Sequence, residues 1–370
     1  MQTFFHVVLI VVGFAAVGIV LDAAVRTFVV PRGAVVLFTV TIFRLVRWFF
    51  SLFASPRRTY EARDRVMALY APIALLALPT ISMLVTFGAF ACIFGGIEHR
   101  GARSALMTSG SSLFTLGFER PPDLPSAFTA FGEATVGLSL LALLIAYLPT
   151  IYNSFSKREV AVTDLGIRAG TPPTPRNMLV RAHLTGYLLE MDGFWAAWMA
   201  WFTEVQETHT SYGSLVFFRS PNPHRSWITA AGAVLDTCAL RLALVDIPPT
   251  PQAALCIRSG YLALREVAGF FGYNYEDSPA PDDPISVTRD EFDEVCRDLA
   301  KLGVPLVADK DQAWRDFAGW RVNYDAVLIT LAGFVMAPYA PWVSDRSPIN
   351  PLPHYGWGRR RVEMSRRSQK

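Results

Sequence analysis

Two long stretches of the chain carry no charged side chain. Residues 66–97, between Arg65 and Glu98, contain none over 32 positions, and residues 134–156 contain none over 23. About 20 apolar residues, each rising about 1.5 Å, cross a hydrocarbon core of roughly 30 Å. Both stretches are long enough to cross, and a buried core helix is normally shorter. They are therefore predicted to be transmembrane helices.

Another apolar segment precedes the first of these stretches. Residues 4–30 carry only Asp22 and Arg26 as charges, and Pro31-Arg32-Gly33 then forms a strong helix stop. No basic segment precedes the apolar residues and no small-residue cleavage site follows them. A retained membrane helix is therefore predicted here rather than a cleaved signal peptide.

Residues 34–54 are mostly apolar, but two arginines interrupt them. Arg44 and Arg47 fall on one narrow polar stripe at helical spacing. Three interpretations stay open: a helix lying along the inner membrane surface, a fourth spanning helix whose stripe packs inward, and a rudimentary voltage sensor. We prefer the surface helix within an N-terminal membrane region of residues 1–65, because it keeps Arg44 and Arg47 on the cytoplasmic side. Two arginines are few for a sensor.

The composition changes at Lys157, where a water-facing region begins. A linker is predicted over residues 157–176, and it contains the stiff segment Thr171-Pro172-Pro173-Thr174-Pro175. A helical domain is predicted over residues 177–345, followed by a basic tail over residues 346–370. Basic residues gain about 1 kcal/mol each beside anionic lipids, so the tail either contacts the membrane or is a solvated end.

Helical periodicity within this domain gives individual boundaries. The predicted helices cover residues 177–206, 225–245, 252–272, 288–302 and 311–337. Thr288 and Glu291 have the spacing of a capping box, in which each residue satisfies a backbone donor of the other. The fourth helix therefore has a physical start signal.

Basic residues predict the orientation of the chain. Those flanking the two uncharged stretches are Arg57, Arg58, Arg63, Arg65, Lys157, Arg158, Arg168, Arg176 and Arg181. The positive-inside rule places both flanks in the cytoplasm, so the connection between the stretches lies outside. The protein is thus predicted to be a multi-pass protein of the cell membrane with a cytoplasmic C-terminal domain.

The outer connection, residues 98–133, holds the most informative pattern. Residues 102–112 are small and polar, enough for a half-helix that does not cross the bilayer, and Thr115-Leu116-Gly117-Phe118 follows. Non-helical backbone at membrane depth is tolerated only where protein or a water-filled cavity surrounds it. A short helix followed by a Thr-x-Gly-aromatic turn between two spans meets that condition.

These residues resemble the pore-loop cation channels, and the potassium channel family in particular. The resemblance implies a pore domain over residues 66–156, with an outer helix over 66–97, a pore helix and filter over 102–119, and an inner helix over 127–156. By position it implies a filter made of Thr115, Leu116, Gly117 and Phe118. In that family, backbone carbonyls and the threonine hydroxyl replace the hydration shell of the ion.

The sequence departs from the family pattern just after the filter. Glu119 stands where the last filter glycine is usual, and Arg120 stands where an acidic residue is usual. Glutamate does not supply a positive φ at low cost as glycine does, so the outermost ion site is not expected to form as in the family. A ring of Glu119 carboxylates at the pore mouth would instead attract cations with weak selectivity.

The resemblance also implies a bend in the inner helix that serves gating, and an assembly of several chains around the pore. Gly132 and Gly137 of the inner helix are candidates for the bend, and close helix packing through small residues is the alternative role for both. One pore loop supplies only one wall of a filter, so about four chains around an axis are implied.

Other chemistry is not indicated. The four cysteines show no metal or redox spacing and are expected to be reduced. Glu204, Glu207 and His209 could together bind a metal, but Glu204 and Glu207 fit a solvated helix face better. No phosphate loop or catalytic arrangement appears, so no enzyme activity, cofactor or metal is predicted. The net charge of +3, without interleaved basic and aromatic residues, argues against nucleic acid.

The predicted fold class is an all-α membrane protein, with a pore-loop channel domain followed by an α-helical cytoplasmic domain. The leading function is a homotetrameric channel for K⁺ or Na⁺ that contacts membrane lipids. A membrane-anchored sensory or scaffold protein with a degenerate, non-conducting loop is the alternative. A secondary transporter is weaker, because the hydrophobic pattern has no second copy to form an inverted repeat.

Overall fold

The computed structural model describes residues 2–28, 30, 37–54, 59–98, 101–347 and 360–361. The chain is 75% helical, which confirms the all-α class. Three helical segments among these residues are long and apolar enough to cross a membrane: Thr3–Phe28, Tyr60–Glu98 and Leu124–Ala169. The chain divides into two units, Met1–Asn153 and Ser154–Lys370, each described by itself below.

The first unit contains the apolar helices. They are α1 (Gln2–Phe28), α2 (Leu37–Phe53), α3 (Tyr60–Ala68), α4 (Tyr70–Glu98), α5 (Ala102–Leu113) and α6 (Leu124–Ala169), whose last residues belong to the second unit. Helix α2 has 17 residues and is about 26 Å long, somewhat short of the roughly 30 Å hydrocarbon core. Arg57, Arg58 and the Pro31-Arg32-Gly33 stop lie outside the described residues.

Helix α6 is longer than the inner helix predicted over residues 127–156. It begins at Leu124, three residues before that prediction, so it already covers the last residues of the connection 98–133. It also runs on to Ala169, so most of the predicted linker 157–176 is helical. The reason is that nothing between Lys157 and Ala169 breaks a helix, whereas Gly170, with φ +86°, supplies the left-handed residue that commonly ends one.

Helices α1 and α4 pack closely and run antiparallel. A Cβ atom at Gly13 of α1 would lie 2.5 Å from both the Ala89 carbonyl oxygen and Cγ1 of Ile93 on α4. His6 Nδ1 is 3.2 Å from the Gly95 carbonyl oxygen, which places the start of α1 beside the end of α4. Small residues allow this close backbone approach, the usual basis of helix association in membranes.

The second unit is a helical domain. After the end of α6 it contains α7 (Pro175–Leu184), α8 (Asp192–Ser211), α9 (Trp227–Ala243), α10 (Pro251–Phe270), α11 (Arg289–Lys301), α12 (Lys310–Arg321) and α13 (Asp325–Phe334). Short 3₁₀ turns cover Gly213–Phe217 and Ser344–Arg346. Strands β1 (Tyr273–Asn274) and β2 (Arg360–Arg361) pair in parallel, which the sequence did not predict.

Two of the predicted helices in this domain are each divided in two. The predicted helix 177–206 breaks between α7 and α8, where Gly186 has φ +70°. The predicted helix 311–337 breaks at Asn323, whose side-chain amide donates to the carbonyl oxygens of Gly319 and Trp320 and so caps the end of α12. The predicted capping box is confirmed, with Thr288 and Glu291 bonded reciprocally at the start of α11.

The buried core of this domain encloses an ionic cluster around Arg321. Its guanidinium is fully buried and donates to Asp236 on α9 and, at 2.7 Å, to Asp325 Oδ1 on α13. Tyr324 donates its hydroxyl to Asp236 Oδ1 at 2.8 Å, and Ser286 donates to Asp325 Oδ1 at 2.7 Å. The cluster thereby links three helices and the segment before α11 through hydrogen-bonded charges.

A second buried polar cluster involves Arg158, which the sequence suggested as part of a basic flank. Arg158 is 3% exposed, pairs with Glu159 and donates to the carbonyl oxygens of Leu215 and Phe218. Its Nη1 also lies 3.1 Å from Nε2 of His209. Because arginine can only donate, His209 Nε2 accepts this bond and the imidazole is neutral.

The buried His209 should make the stability of the protein depend on pH. Burial and the Arg158 guanidinium hold the pKa of His209 well below its ordinary value. The unfolded chain protonates this imidazole near pH 6.5 and the folded chain does not, so stability falls as pH drops below about 6.5. One such group accounts for up to about 1.4 kcal/mol per pH unit.

Thermal unfolding of the full chain in detergent, followed by tryptophan fluorescence, measures this effect. Eight of the nine tryptophans follow residue 154, so the signal reports mainly the second unit. His209→Gln keeps an acceptor for Arg158 and should flatten the loss of stability between about pH 6.5 and pH 5. His224→Gln, at an exposed position, is the control. Equal pH profiles for the wild type and His209→Gln would contradict the assignment.

Candidate functional site

Helix α5 is a half-helix held inside the first unit. Its 12 residues extend about 18 Å, well short of the hydrocarbon thickness. Helices α1, α4, α5 and α6 meet in one apolar cluster: Val17, Ala89, Phe90, Ile93, Phe94, Ala105 and Ala130. One face of the half-helix therefore packs against the longer helices, and its C-terminal end leads into residues 115–118.

The backbone turns sharply where α5 ends. Thr115 donates its N–H to the Ser112 carbonyl at 3.0 Å, and Leu116 donates to the Ser111 carbonyl at 2.8 Å. This pair of bonds is the Schellman pattern, in which the first residue beyond the cap takes a left-handed conformation. Thr115 has φ +52°, so a threonine occupies the position where glycine is the usual residue.

A threonine in this conformation is strained. Its branched Cβ makes a positive φ sterically unfavourable, and such residues cost about 1 to 3 kcal/mol each. Gly117, two residues later, also has a positive φ of +69°, which glycine adopts without that cost. Strain of this kind persists only where the surrounding structure imposes it, and it concentrates at functional sites.

The predicted filter residues lie together at the surface of the single chain. Leu116 and Phe118 have 62% and 54% of their surface exposed, although both are large and apolar. The backbone of Glu119 is tied back to the half-helix, because its N–H donates to Ser111 Oγ at 3.0 Å. A single chain therefore presents residues 115–118 outward and leaves them without a cover.

The two candidate hinge glycines occupy different environments in α6, which continues past both. A Cβ at Gly137 would lie 2.8 Å from the Leu113 carbonyl oxygen, so α6 approaches the end of α5 closely there. A Cβ at Gly132 would meet no atom within 4 Å. Close helix packing therefore requires a glycine at position 137. It does not require one at position 132.

One residue beside the filter was not identified from the sequence. Glu133 is fully buried on α6, and its Oε1 is 2.5 Å from Ser109 Oγ on the half-helix. In the sequence, Glu133 directly precedes the uncharged stretch 134–156 and belongs to no recognised motif. A lone carboxylate within an otherwise apolar span could have identified it, because ionisable side chains in a membrane are energetically costly and usually have a function.

One face of α6 is apolar and uncovered in the single chain. The exposed large residues in its first part are Leu124, Phe128, Phe131, Leu138, Leu141 and Ile145. Lipid or another chain must cover such a surface, because contiguous exposed apolar patches of this kind mark membrane or protein contacts.

The remaining candidates are not drawn together. Glu204 and Glu207 lie on α8 with His209, but His209 is buried against Arg158, and the described residues gather no group of three metal-ligating side chains. The four cysteines are free thiols. The basic tail after residue 347, apart from the backbone of residues 360–361, lies outside the described part of the chain.

Comparison with protein-family models, with curated proteins and with solved structures finds no match to this chain. Function is therefore argued from the geometry of α5, the turn that follows it and the face of α6.

Proposed function

We propose that the protein is a homotetrameric channel that conducts monovalent cations, K⁺ or Na⁺, past residues 115–118. The observation that carries this proposal is the strained turn after the half-helix. A turn that only ended α5 would take glycine at position 115 at lower cost. A filter needs a backbone that exposes carbonyl oxygens to an ion, and a threonine hydroxyl can add one further oxygen ligand.

The surface of the single chain supports an assembly. Leu116, Phe118 and the apolar face of α6 are uncovered. Four chains around an axis would bring the turns together at the centre and leave the outer helices to membrane lipids. In this arrangement, a ring of Glu119 carboxylates lies near the mouth and raises the local cation concentration.

The proposed orientation places the turn outside the cell and the second unit in the cytoplasm. Arg63 and Arg65 precede α4, and the basic residues from Lys157 onward follow the uncharged part of α6. The antiparallel packing of α1 and α4 fits this topology, in which α1 crosses the membrane in one direction and α4 crosses back. The cytoplasmic domain then modulates gating, in a protein that crosses the cell membrane several times.

Purified protein in liposomes tests the proposal. The wild type should carry K⁺ or Na⁺ into the vesicles, and its mass in nanodiscs should be that of four chains. Thr115→Gly relieves the strain at the turn, so it should raise the unfolding temperature while it weakens ion selection, because the hydroxyl is lost. A stable monomer that carries no ions into the vesicles would contradict the proposal.

The alternative is a membrane-anchored sensory or scaffold protein, and one observation favours it. The hydrogen bonds of residues 115 and 116 are those of an ordinary helix end. Under this alternative Thr115→Gly still raises the unfolding temperature, and neither protein carries ions. Flux, rather than stability, therefore separates the two functions.

A further inference from the structure

A hydrogen-bonded chain crosses from α6 through the half-helix to α4. Ser109 Oγ lies 2.5 Å from Oε1 of Glu133 and 2.9 Å from the carbonyl oxygen of Phe87. Ser109 and Glu133 are fully buried. Helices α4, α5 and α6 therefore meet at one serine hydroxyl, six residues before the candidate filter.

The number of hydrogens at this serine constrains the protonation of Glu133. A hydroxyl carries one hydrogen, and the Phe87 carbonyl can only accept. If Ser109 donates to Phe87, the hydrogen in the contact between Ser109 and Glu133 must come from the carboxyl group. Both contacts are full two-centre hydrogen bonds only when Glu133 is protonated and donates to Ser109 Oγ, because an ionised Glu133 would leave one hydroxyl hydrogen shared between two acceptors.

The surroundings of Glu133 agree with a neutral carboxyl group. Its second oxygen, Oε2, is buried without a hydrogen-bond partner, and no basic side chain in the described ranges forms an ion pair with it. An isolated ionised carboxylate in an apolar interior carries a large desolvation cost. A protonated carboxyl group avoids that cost and still supplies one donor.

We infer that Glu133 is held protonated and acts as a positioning residue that fixes the half-helix, and through it the filter turn. The role in conduction rests on the proposed channel function, whereas the protonation does not. Glu133 touches neither the ion nor residues 115–118, so its effect on conduction is indirect.

The connection to the turn runs through Ser111, two residues after Ser109 on α5. Its carbonyl oxygen accepts from the N–H groups of Leu116 and Gly117, at 2.8 Å and 3.4 Å. Its hydroxyl accepts from the N–H of Glu119. A small rotation of α5 therefore moves the bonds that set the backbone of the turn. The hydrogen bond between Glu133 and Ser109 fixes that rotation.

Infrared difference spectroscopy of the full-length protein tests the protonation directly. The wild type should show a carbonyl band of a protonated carboxylic acid at neutral pH, and Glu133→Gln should remove it. Isotope labelling of glutamate assigns the band. A spectrum without this band, or a band that survives Glu133→Gln, overturns the inference whether or not the protein conducts.

Ion permeation in liposomes tests the positioning role. Glu133→Leu and Ser109→Ala should each change the ratio of K⁺ to Na⁺ permeation by about tenfold, the size expected from one lost buried hydrogen bond. Glu133→Gln should retain the wild-type ratio, because its amide can donate to Ser109 Oγ. The tetramer should persist in all three variants.

Ser82→Ala is the matched control. Ser82 is a buried serine of α4 whose hydroxyl donates to the Leu78 carbonyl in the same helix. Its removal should leave the permeation ratio unchanged. A wild-type ratio in Ser109→Ala and Glu133→Leu would overturn the positioning role. If the wild type itself carries no ions, the channel function is contradicted. The infrared spectrum then still tests the protonation of Glu133.

Discussion

Gly117→Asp should reduce cation flux to the level of empty liposomes. Gly117 has φ +69°, a conformation that aspartate tolerates less well than glycine. In the proposed tetramer, four added side chains would crowd the axis and obstruct the path of the ion. A Cβ at this position meets no atom within 4 Å in the single chain, so folding of the chain should be preserved.

The same substitution at Gly186 provides a matched control. Gly186 lies between α7 and α8, has φ +70° and also leaves open space for a Cβ. It lies in the second unit, away from residues 115–118 in the chain, so Gly186→Asp should retain flux. Glu119→Gln should lower flux only partly, because it weakens cation attraction at the mouth without closing the path. Equal flux from Gly117→Asp and the wild type would place the conduction path elsewhere.

Arg321→Met should destabilise the second unit by about 3 to 5 kcal/mol. Burial alone would lower the pKa of Arg321, but the carboxylates of Asp236 and Asp325 raise it overall, so the guanidinium stays charged. Its removal leaves two buried acidic groups without their partner, which is the costly way to break a buried ion pair. Tryptophan fluorescence during denaturant unfolding measures the loss.

Arg289→Met is the comparison for that experiment. Arg289 also bridges two carboxylates, those of Asp293 and Asp311, but all three side chains are at least one-third exposed. Surface ion pairs contribute about 0 to 1 kcal/mol, so this variant should unfold almost as the wild type does. Losses of equal size in the two variants would show that burial of the Arg321 cluster has no particular effect on stability.

The spans could be predicted from the sequence because the physics involved is local. Two uncharged stretches and one segment with only two charges, each long enough to cross a bilayer, predict the three apolar helices. One capping box predicts the start of α11. The end of α6 could not be predicted in this way. A change in polarity at Lys157 does not require a change in backbone conformation, and no proline interrupts the chain between Lys157 and Ala169.

The candidate site was only partly predictable for a different reason. Residues 115–118 follow one another in the chain, so a short motif was enough to single them out. Glu133 and Ser109 are 24 positions apart and become neighbours only when α6 packs against α5. Likewise, the bonds that hold Thr115 in a left-handed conformation depend on where α5 stops, and propensities do not fix that residue.

The strain at Thr115 has a consequence for the way this protein evolves. Mutation repeatedly offers residues that enter the left-handed region at lower cost, and asparagine is a single base change away from half of the threonine codons. A turn kept only as the end of a helix would drift toward asparagine or glycine. Natural variation at position 115 would thus report whether selection acts on the hydroxyl group or only on the shape of the turn.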